Sequence, residues 1–350
     1  GITDIVKLAS NENPFGFPES AKKAIQAQLD HLTRYPDANG FELKATIAKK
    51  FGVQPNQITL GNGSNDLLEL FAHTFAGEGD EVIYSQYAFI VYPLVTKAIN
   101  AVAKEIPAKD WGHDLNGFLT ALSDKTKLIF IANPNNPTGT VMDQAALEEI
   151  AAFAQRHDLI VISDEIYCDL TYEGKHTCFA SIPGMKERTL VMNGFSKSYA
   201  MTGLRIGYIC GPKEVMQSLY KVHQYEILCA ASTSQYGAIA ALRKCDEDVK
   251  VMFDEYKIRR KIVYDALAKM GLKVFKPKGA FYIFPDISCT GMNDEEICDR
   301  LLMEEKVGVV PGTCFGLQGK NHIRISYAAS RENLTEAMKR MAHFVTKYKK

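Results

Sequence analysis

Two short apolar runs and a third, mixed strand-like run each break off into a cluster of polar residues, and that repeated pattern restricts the chain to few fold classes. Lys127-Leu-Ile-Phe-Ile-Ala132 runs into Asn133-Pro-Asn-Asn136-Pro-Thr-Gly139. Leu159-Ile-Val-Ile-Ser163 runs into Asp164-Glu-Ile-Tyr167, and Gln57-Ile-Thr-Leu60 into Gly61-Asn-Gly-Ser64-Asn65-Asp66. A run that is apolar at every position, rather than at every second one, suits a parallel strand buried on both faces. Helical spacing appears between these runs: Leu67, Leu68, Leu70 and Phe71 follow the glycine turn, and Asp143 is placed to cap a helix through Phe153 with Leu147, Ile150, Ala151 and Ala154 on one side. Strand runs alternating with amphipathic helices predict an α/β sheet covered on both faces. Ligands bind at the carboxyl ends of such strands, where the polar clusters fall.

The cluster with the most chemistry is Asn193-Gly-Phe-Ser196-Lys197-Ser-Tyr-Ala-Met-Thr-Gly-Leu-Arg205, a lysine flanked by hydroxyls with an arginine eight residues on. A lysine attacks a carbonyl only when its amine is partly unprotonated, a condition that a dry pocket or a nearby cation such as Arg205 provides. An arginine fork grips a phosphate dianion through paired donors, so Arg205 is the candidate phosphate clamp and Ser196 an added donor. An aldehyde carrying a phosphate describes pyridoxal 5'-phosphate, which needs an acid beside its ring nitrogen to act as an electron sink. Asp164 is the candidate acid, and Tyr167 and Asn136 are candidate partners of the ring hydroxyl. The Gly61-Asn-Gly63 turn into Ser64 and Asn65 reads as an anion cradle, because the first amides of a helix have no internal partners. It lacks the third glycine of a nicotinamide fingerprint.

Taken together, Asn136-Pro-Thr-Gly139, Asp164-Glu-Ile-Tyr167, Ser196-Lys197 with Arg205, and His322-Ile-Arg324-Ile-Ser326 resemble the fold type I pyridoxal phosphate aminotransferases over essentially the whole chain. The resemblance implies a large domain with a mostly parallel mixed sheet sandwiched by helices, plus a smaller α+β domain. It assigns residues 1–30 to an amino-terminal arm and part of the small domain, 31–245 to the cofactor domain and 246–350 to the small carboxyl-terminal domain. Lys197 would bond the cofactor covalently and shuttle the proton, Asp164 would hold the ring nitrogen, and Tyr167 with Asn136 the ring oxygen. Ser64, Asn65, Ser196 and Arg205 would hold the phosphate. Tyr92 is matched to the aromatic ring on the cofactor face, with Phe89 as the neighbouring alternative. Arg324 and Asn13 fall on the substrate side. Tyr35 resembles a tyrosine that reaches the neighbouring subunit's cofactor, which implies a homodimer.

Within that family the first part of the chain, from Leu8 to the turn at Gly139, resembles histidinol-phosphate aminotransferases. The segments Gly279-Ala-Phe-Tyr-Ile-Phe-Pro285 and Val309-Val310-Pro311-Gly-Thr-Cys-Phe-Gly316 resemble the aspartate and aromatic branch, and Val310 stands where histidinol-phosphate enzymes usually carry an arginine. The expected reaction is therefore transamination between histidinol phosphate and 2-oxoglutarate, with an aromatic or aspartate donor as the alternative and carbon–sulfur lysis or decarboxylation as the rival reaction class. Lysine plus arginine and aspartate plus glutamate number 41 each, so no bulk field favours nucleic acid or a membrane surface. No apolar run approaches the roughly 20 residues of a membrane span, and no secretory signal is visible at the start as given. The eight cysteines, all at or after Cys168, form no CxxC pair, and the eight histidines are scattered, with only His322 inside a quoted motif. Reduced cytoplasmic thiols and a site without metal are the expectation.

Overall fold

The computed structural model describes residues 3–109 and 111–350. Among these, twelve strands form three sheets: β1 (Val6–Lys7), β2 (Ile58–Gly61), β3 (Glu81–Ser85), β4 (Val102–Ile106), β5 (Thr126–Ala132), β6 (Val161–Asp164), β7 (Thr189–Gly194), β8 (Gly207–Cys210), β9 (Tyr282–Ile283), β10 (Val307–Gly308), β11 (Val310–Pro311) and β12 (Ile323–Ser326). The large sheet has the order β2-β8-β7-β6-β5-β3-β4. Its pairs are parallel except those made by β8, which runs against both neighbours.

Side chains along β5 explain the unbroken apolar runs. Leu128, Phe130 and Ala132 enter one core cluster with Leu67, Phe71, Tyr92 and Ile162, while Ile129 and Ile131 enter the opposite one with Phe153, Val161 and Phe179. Both faces of the sheet are thus covered, as expected for parallel strands between helices. Each fully buried side chain of this size contributes about 1.5–3 kcal/mol. The helix Gln144–Arg156 starts where Asp143 accepts from the amide of Ala146 at 2.9 Å, and it runs three residues beyond the sequence expectation.

The remaining strands are short. β11, β12 and β9 form an antiparallel sheet, and β1 pairs in parallel with β10. The long helix Asp246–Lys269 and the final helix Arg331–Tyr348 pack against each other beside them, around Tyr256, Phe281, Ile323 and Phe344. The first thirty residues divide their contacts: β1 joins β10, whereas the helix Glu19–Gln26 packs on the helix Ser232–Lys244.

Candidate active site

Three glycines stand in register across the rim of the large sheet, Gly61 beside Gly207 and Gly207 beside Gly194. Because β8 is reversed, its amino end lies at the same rim as the carboxyl ends of β2 and β7. Arg205 is thereby delivered next to Lys197. Parallel neighbours β5 and β6 bring Asn136 and Asp164 to that rim, and the chain after β3 brings Tyr92. Ser64, Asn65, Tyr92, Asn136, Asp164, Tyr167, Ser196, Lys197 and Arg205 all line one cleft with a cavity of about 190 Å³.

Lys197 is one of its lining residues. The ammonium Nζ donates to the carbonyl of Asn11 at 2.6 Å and lies 5.8 Å from the ring centroids of both Tyr167 and Phe281. Burial lowers the amine from 10.5 to about 8, the charges of Arg324 and Arg205 push the same way, and Asp164 and Glu12 oppose them. The reactive form is therefore within reach near neutral pH.

Asp164 is 5% exposed. One carboxylate oxygen accepts from the Tyr92 hydroxyl at 2.7 Å and the other from the amide of Ile166 at 3.2 Å. Burial pushes the carboxyl from 3.8 up to about 6, against the pull of those two hydrogen bonds. The Tyr92 ring stacks on Phe130 with centroids 4.7 Å apart and planes 4° from parallel, and Phe89 meets it edge-on. Tyr92 and Phe89 both line the cleft; Tyr92 is the one bonded to Asp164.

Tyr167 and Tyr282 share a hydroxyl contact of 2.7 Å. Asn136 accepts from Arg324 through its carbonyl oxygen at 3.1 Å, which keeps its amide nitrogen as the available donor. Arg324 also donates to the carbonyl of Ala9 at 2.9 Å and lies over the rings of Tyr282 and Phe315. Asn13 donates to the backbone carbonyl of Lys197 at 2.9 Å and contacts the sulfur of Met252. Tyr35 is 88% exposed and touches none of these groups.

At the other end of the cleft, the helix Ser64–Phe75 begins after Gly63, whose φ is 93°. A glycine cap has no side chain to bond the first amides, so they stay available to an anion. A Cβ on Gly63 would lie 2.3 Å from the Arg205 guanidinium, which shows how closely that fork covers the turn. Arg205 itself holds a left-handed backbone conformation and donates to the carbonyl of Thr202 at 2.9 Å.

Asn11, Thr202 and Tyr282 were not singled out from the sequence. Asn11 acts through a backbone carbonyl, which residue type does not reveal. Tyr282 lies in the quoted Gly279–Pro285 segment, but only its hydroxyl contact with Tyr167 marks it out.

These residues fit pyridoxal phosphate. Asp164 is a buried carboxylate with no salt-bridge partner among the described residues, so a protonated ring nitrogen is the cation its position suits. A desolvated amine stands beside it for the aldehyde, and a glycine-capped helix start with a clamped guanidinium stands opposite for the phosphate. The sequence pattern of the aminotransferases of class I and II matches residues 3–341. The chain belongs to that family. It is 54% identical to histidinol-phosphate aminotransferase 2 of Haemophilus influenzae across 95% of this chain and 88% of that protein. It is 39% identical to the aspartate aminotransferase of Pyrococcus abyssi across 97% and 92%. The crystal structure of the aromatic aminotransferase of Pyrococcus horikoshii superposes with a TM-score of 0.94 at 37% identity, covering 99% of this chain and 97% of that one. Similarity to the Haemophilus enzyme runs through both parts of the sequence. This aminotransferase is accordingly a pyridoxal phosphate enzyme of α/β fold type I, and no helix among its described residues is long and apolar enough to cross a membrane.

Proposed function

We propose that this aminotransferase exchanges an amino group between histidinol phosphate and 2-oxoglutarate. The observation that carries the reading is the identity of 45–54% across 95% of the chain to four histidinol-phosphate aminotransferases. When bound, pyridoxal phosphate supplies an aldehyde to receive the amino group and a ring to accept electrons. Lys197 Nζ would anchor it and would serve as the base that moves the proton at the substrate's amino-bearing carbon. Asp164 keeps a positive charge at the ring nitrogen, with Tyr92 fixing the carboxylate. Tyr167 and the Asn136 amide bind the ring oxygen, while Ser64, Asn65, Ser196 and Arg205 hold the phosphate. Arg324, backed by the rings of Tyr282 and Phe315, binds the anionic end of the substrate, and Asn13 steadies the Lys197 backbone.

One observation favours an aromatic or aspartate donor as the second reading. In the register of β11 and β12, Val310 lies opposite Arg324, so the substrate side has an aliphatic residue where a second cation would help to grip a phosphate. Comparing kcat/KM for histidinol phosphate, phenylalanine and aspartate decides between them. The first reading requires histidinol phosphate to lead by at least about 100-fold, the discrimination expected when a charged group finds a built partner. Equal or inverted values overturn it.

The phosphate role predicts that Gly63→Ala weakens the cofactor. A Cβ there meets Arg205 and sits at positive φ, so strain of about 1–3 kcal/mol falls on the cradle. Equilibrium titration of apoprotein is expected to show pyridoxal phosphate bound about tenfold or more weakly. Unchanged affinity contradicts the cradle.

The assembly is read as a homodimer in a reducing, cytoplasmic setting. Leu29, Leu32, Tyr35 and Phe41 are all exposed within one short stretch, more apolar surface than a monomer gains by showing. The cysteines are all free thiols. Tyr35 is proposed to complete the partner subunit's phosphate site and substrate pocket. Sedimentation at micromolar concentration is expected to give the mass of two chains, and Tyr35→Phe to raise the cofactor dissociation constant about tenfold, the worth of one hydrogen bond to a charged group. A monomeric holoenzyme contradicts this arrangement.

A further inference from the structure

A buried pair of side chains lies directly behind the cradle proposed for the cofactor phosphate. Asp66 is the third residue of the helix Ser64–Phe75. Its Oδ2 accepts from the backbone amide of Asn62 at 2.7 Å and from that residue's side-chain amide at 3.5 Å, so the helix start is tied back to the turn before it. His223 Nε2, on the helix Lys213–Glu226, lies 3.0 Å from the same oxygen. The two side chains are 2% and 8% exposed.

The protonation states follow from the contacts. Burial alone would raise the Asp66 carboxyl, but the His223 and Asn62 hydrogen bonds outweigh it and hold the carboxyl below its ordinary 3.8. An ionised carboxylate only accepts, so His223 Nε2 is the donor. The turn is also packed against the pair: a Cβ on Gly61 would lie 2.6 Å from Leu67 and 3.0 Å from Asp66 Oδ2. Any shift of Asp66 is therefore a shift of the Gly61–Ser64 backbone. It would also free a negative charge within the first helical turn, beside the amides that are to receive a phosphate dianion.

We infer that His223 is a positioning residue for the cofactor phosphate: by pinning Asp66 it fixes the Asn62 amide and the shape of the turn that presents the helix amides. Nothing in the transfer chemistry uses His223, and it touches neither Arg205 nor Lys197. The inference rests on the phosphate reading of the cradle given above.

The test compares two ligands on apoprotein, pyridoxal phosphate and pyridoxal, which lacks the phosphate. His223→Leu is expected to weaken pyridoxal phosphate about tenfold while changing pyridoxal by no more than about twofold, the difference expected for losing a hydrogen bond to a charged group. His223→Gln keeps an N–H donor at the equivalent position and is expected to restore the affinity. The phosphorus NMR signal of the bound cofactor should move in His223→Leu and return in His223→Gln. If His223→Leu does not fold, Asp66→Ala puts the same question by removing the acceptor that ties the Asn62 amide to His223, with the same loss expected for pyridoxal phosphate alone. Equal losses for both ligands, which a merely structural role would give, overturn the inference, as does an unchanged affinity for pyridoxal phosphate. Arg205→Gln separates the two levels of the argument. If it leaves the preference for pyridoxal phosphate over pyridoxal intact, the phosphate reading itself falls; if it abolishes that preference while His223→Leu preserves it, only the role of His223 falls.

Discussion

Lys197→Ala is expected to lower kcat for amino transfer by at least about 10⁴-fold, the upper range for removal of a positioned acid–base group. No neighbouring group replaces the lost amine. Arg324 and Arg205 are the nearest other cations, and a guanidinium stays protonated at any working pH, so neither takes over as base. Lys197 differs because burial, then Arg324, then Arg205 bring its amine down to about 8. The phosphate cradle does not involve the Lys197 side chain, so the variant should still bind pyridoxal phosphate, now removable by dialysis. Methylamine added to the variant is expected to restore part of the rate, because a diffusible amine replaces the missing base. Near-normal transamination by Lys197→Ala, or borohydride reduction of wild-type holoenzyme that leaves position 197 unmodified, would falsify the assignment.

The same geometry shows why some of this site was legible in the sequence. A parallel strand buried on both faces must be apolar throughout, and its polar residues must wait for the carboxyl end. The runs ending at Ala132 and Ser163 therefore announce both a strand and the rim where chemistry collects. Lysine and aspartate at such an end also cost too much to bury without a use. Other features carry no local signal. The direction of β8, which delivers Arg205 to the rim, depends on pairings with β2 and β7 that no short segment encodes. The Asn11 carbonyl is backbone. Tyr167 and Tyr282 are 115 residues apart, and Asp66 and His223 are 157 apart, so neither contact has a spacing to read. A helix end drifted for a similar reason: Gln144–Arg156 runs three residues past the expected Phe153, because Gln155 and Arg156 carry no stop signal and Arg156 suits the negative end of a last turn.

Asp164→Asn is expected to act in opposite directions on activity and on apoprotein stability, which makes it the most diagnostic single change in the site. Asparagine keeps the shape and an acceptor for Tyr92 but carries no charge for a ring nitrogen, so amino transfer should fall on the order of 10³-fold, the loss typical of one preorganised electrostatic contact. For stability the sign runs the other way. The carboxyl is raised from 3.8 to about 6 in the fold. Between those values the folded chain binds more protons than the unfolded one, so stability declines as pH rises through that window and stays low above it. The charge on Asp164 then costs the apoprotein up to about 3 kcal/mol at neutral pH. Asparagine avoids that cost. Urea denaturation of apoprotein at pH 7 should therefore show Asp164→Asn more stable than wild type, with the gain shrinking as pH falls and vanishing below about pH 4, where wild-type Asp164 is itself neutral. A cation held against the carboxylate by the cofactor removes the same penalty, so pyridoxal phosphate should stabilise the wild type more than the variant. A variant that is less stable than wild type at pH 7, or equally active, would mean that Asp164 serves the packing of the sheet rim rather than the charge of a bound ring.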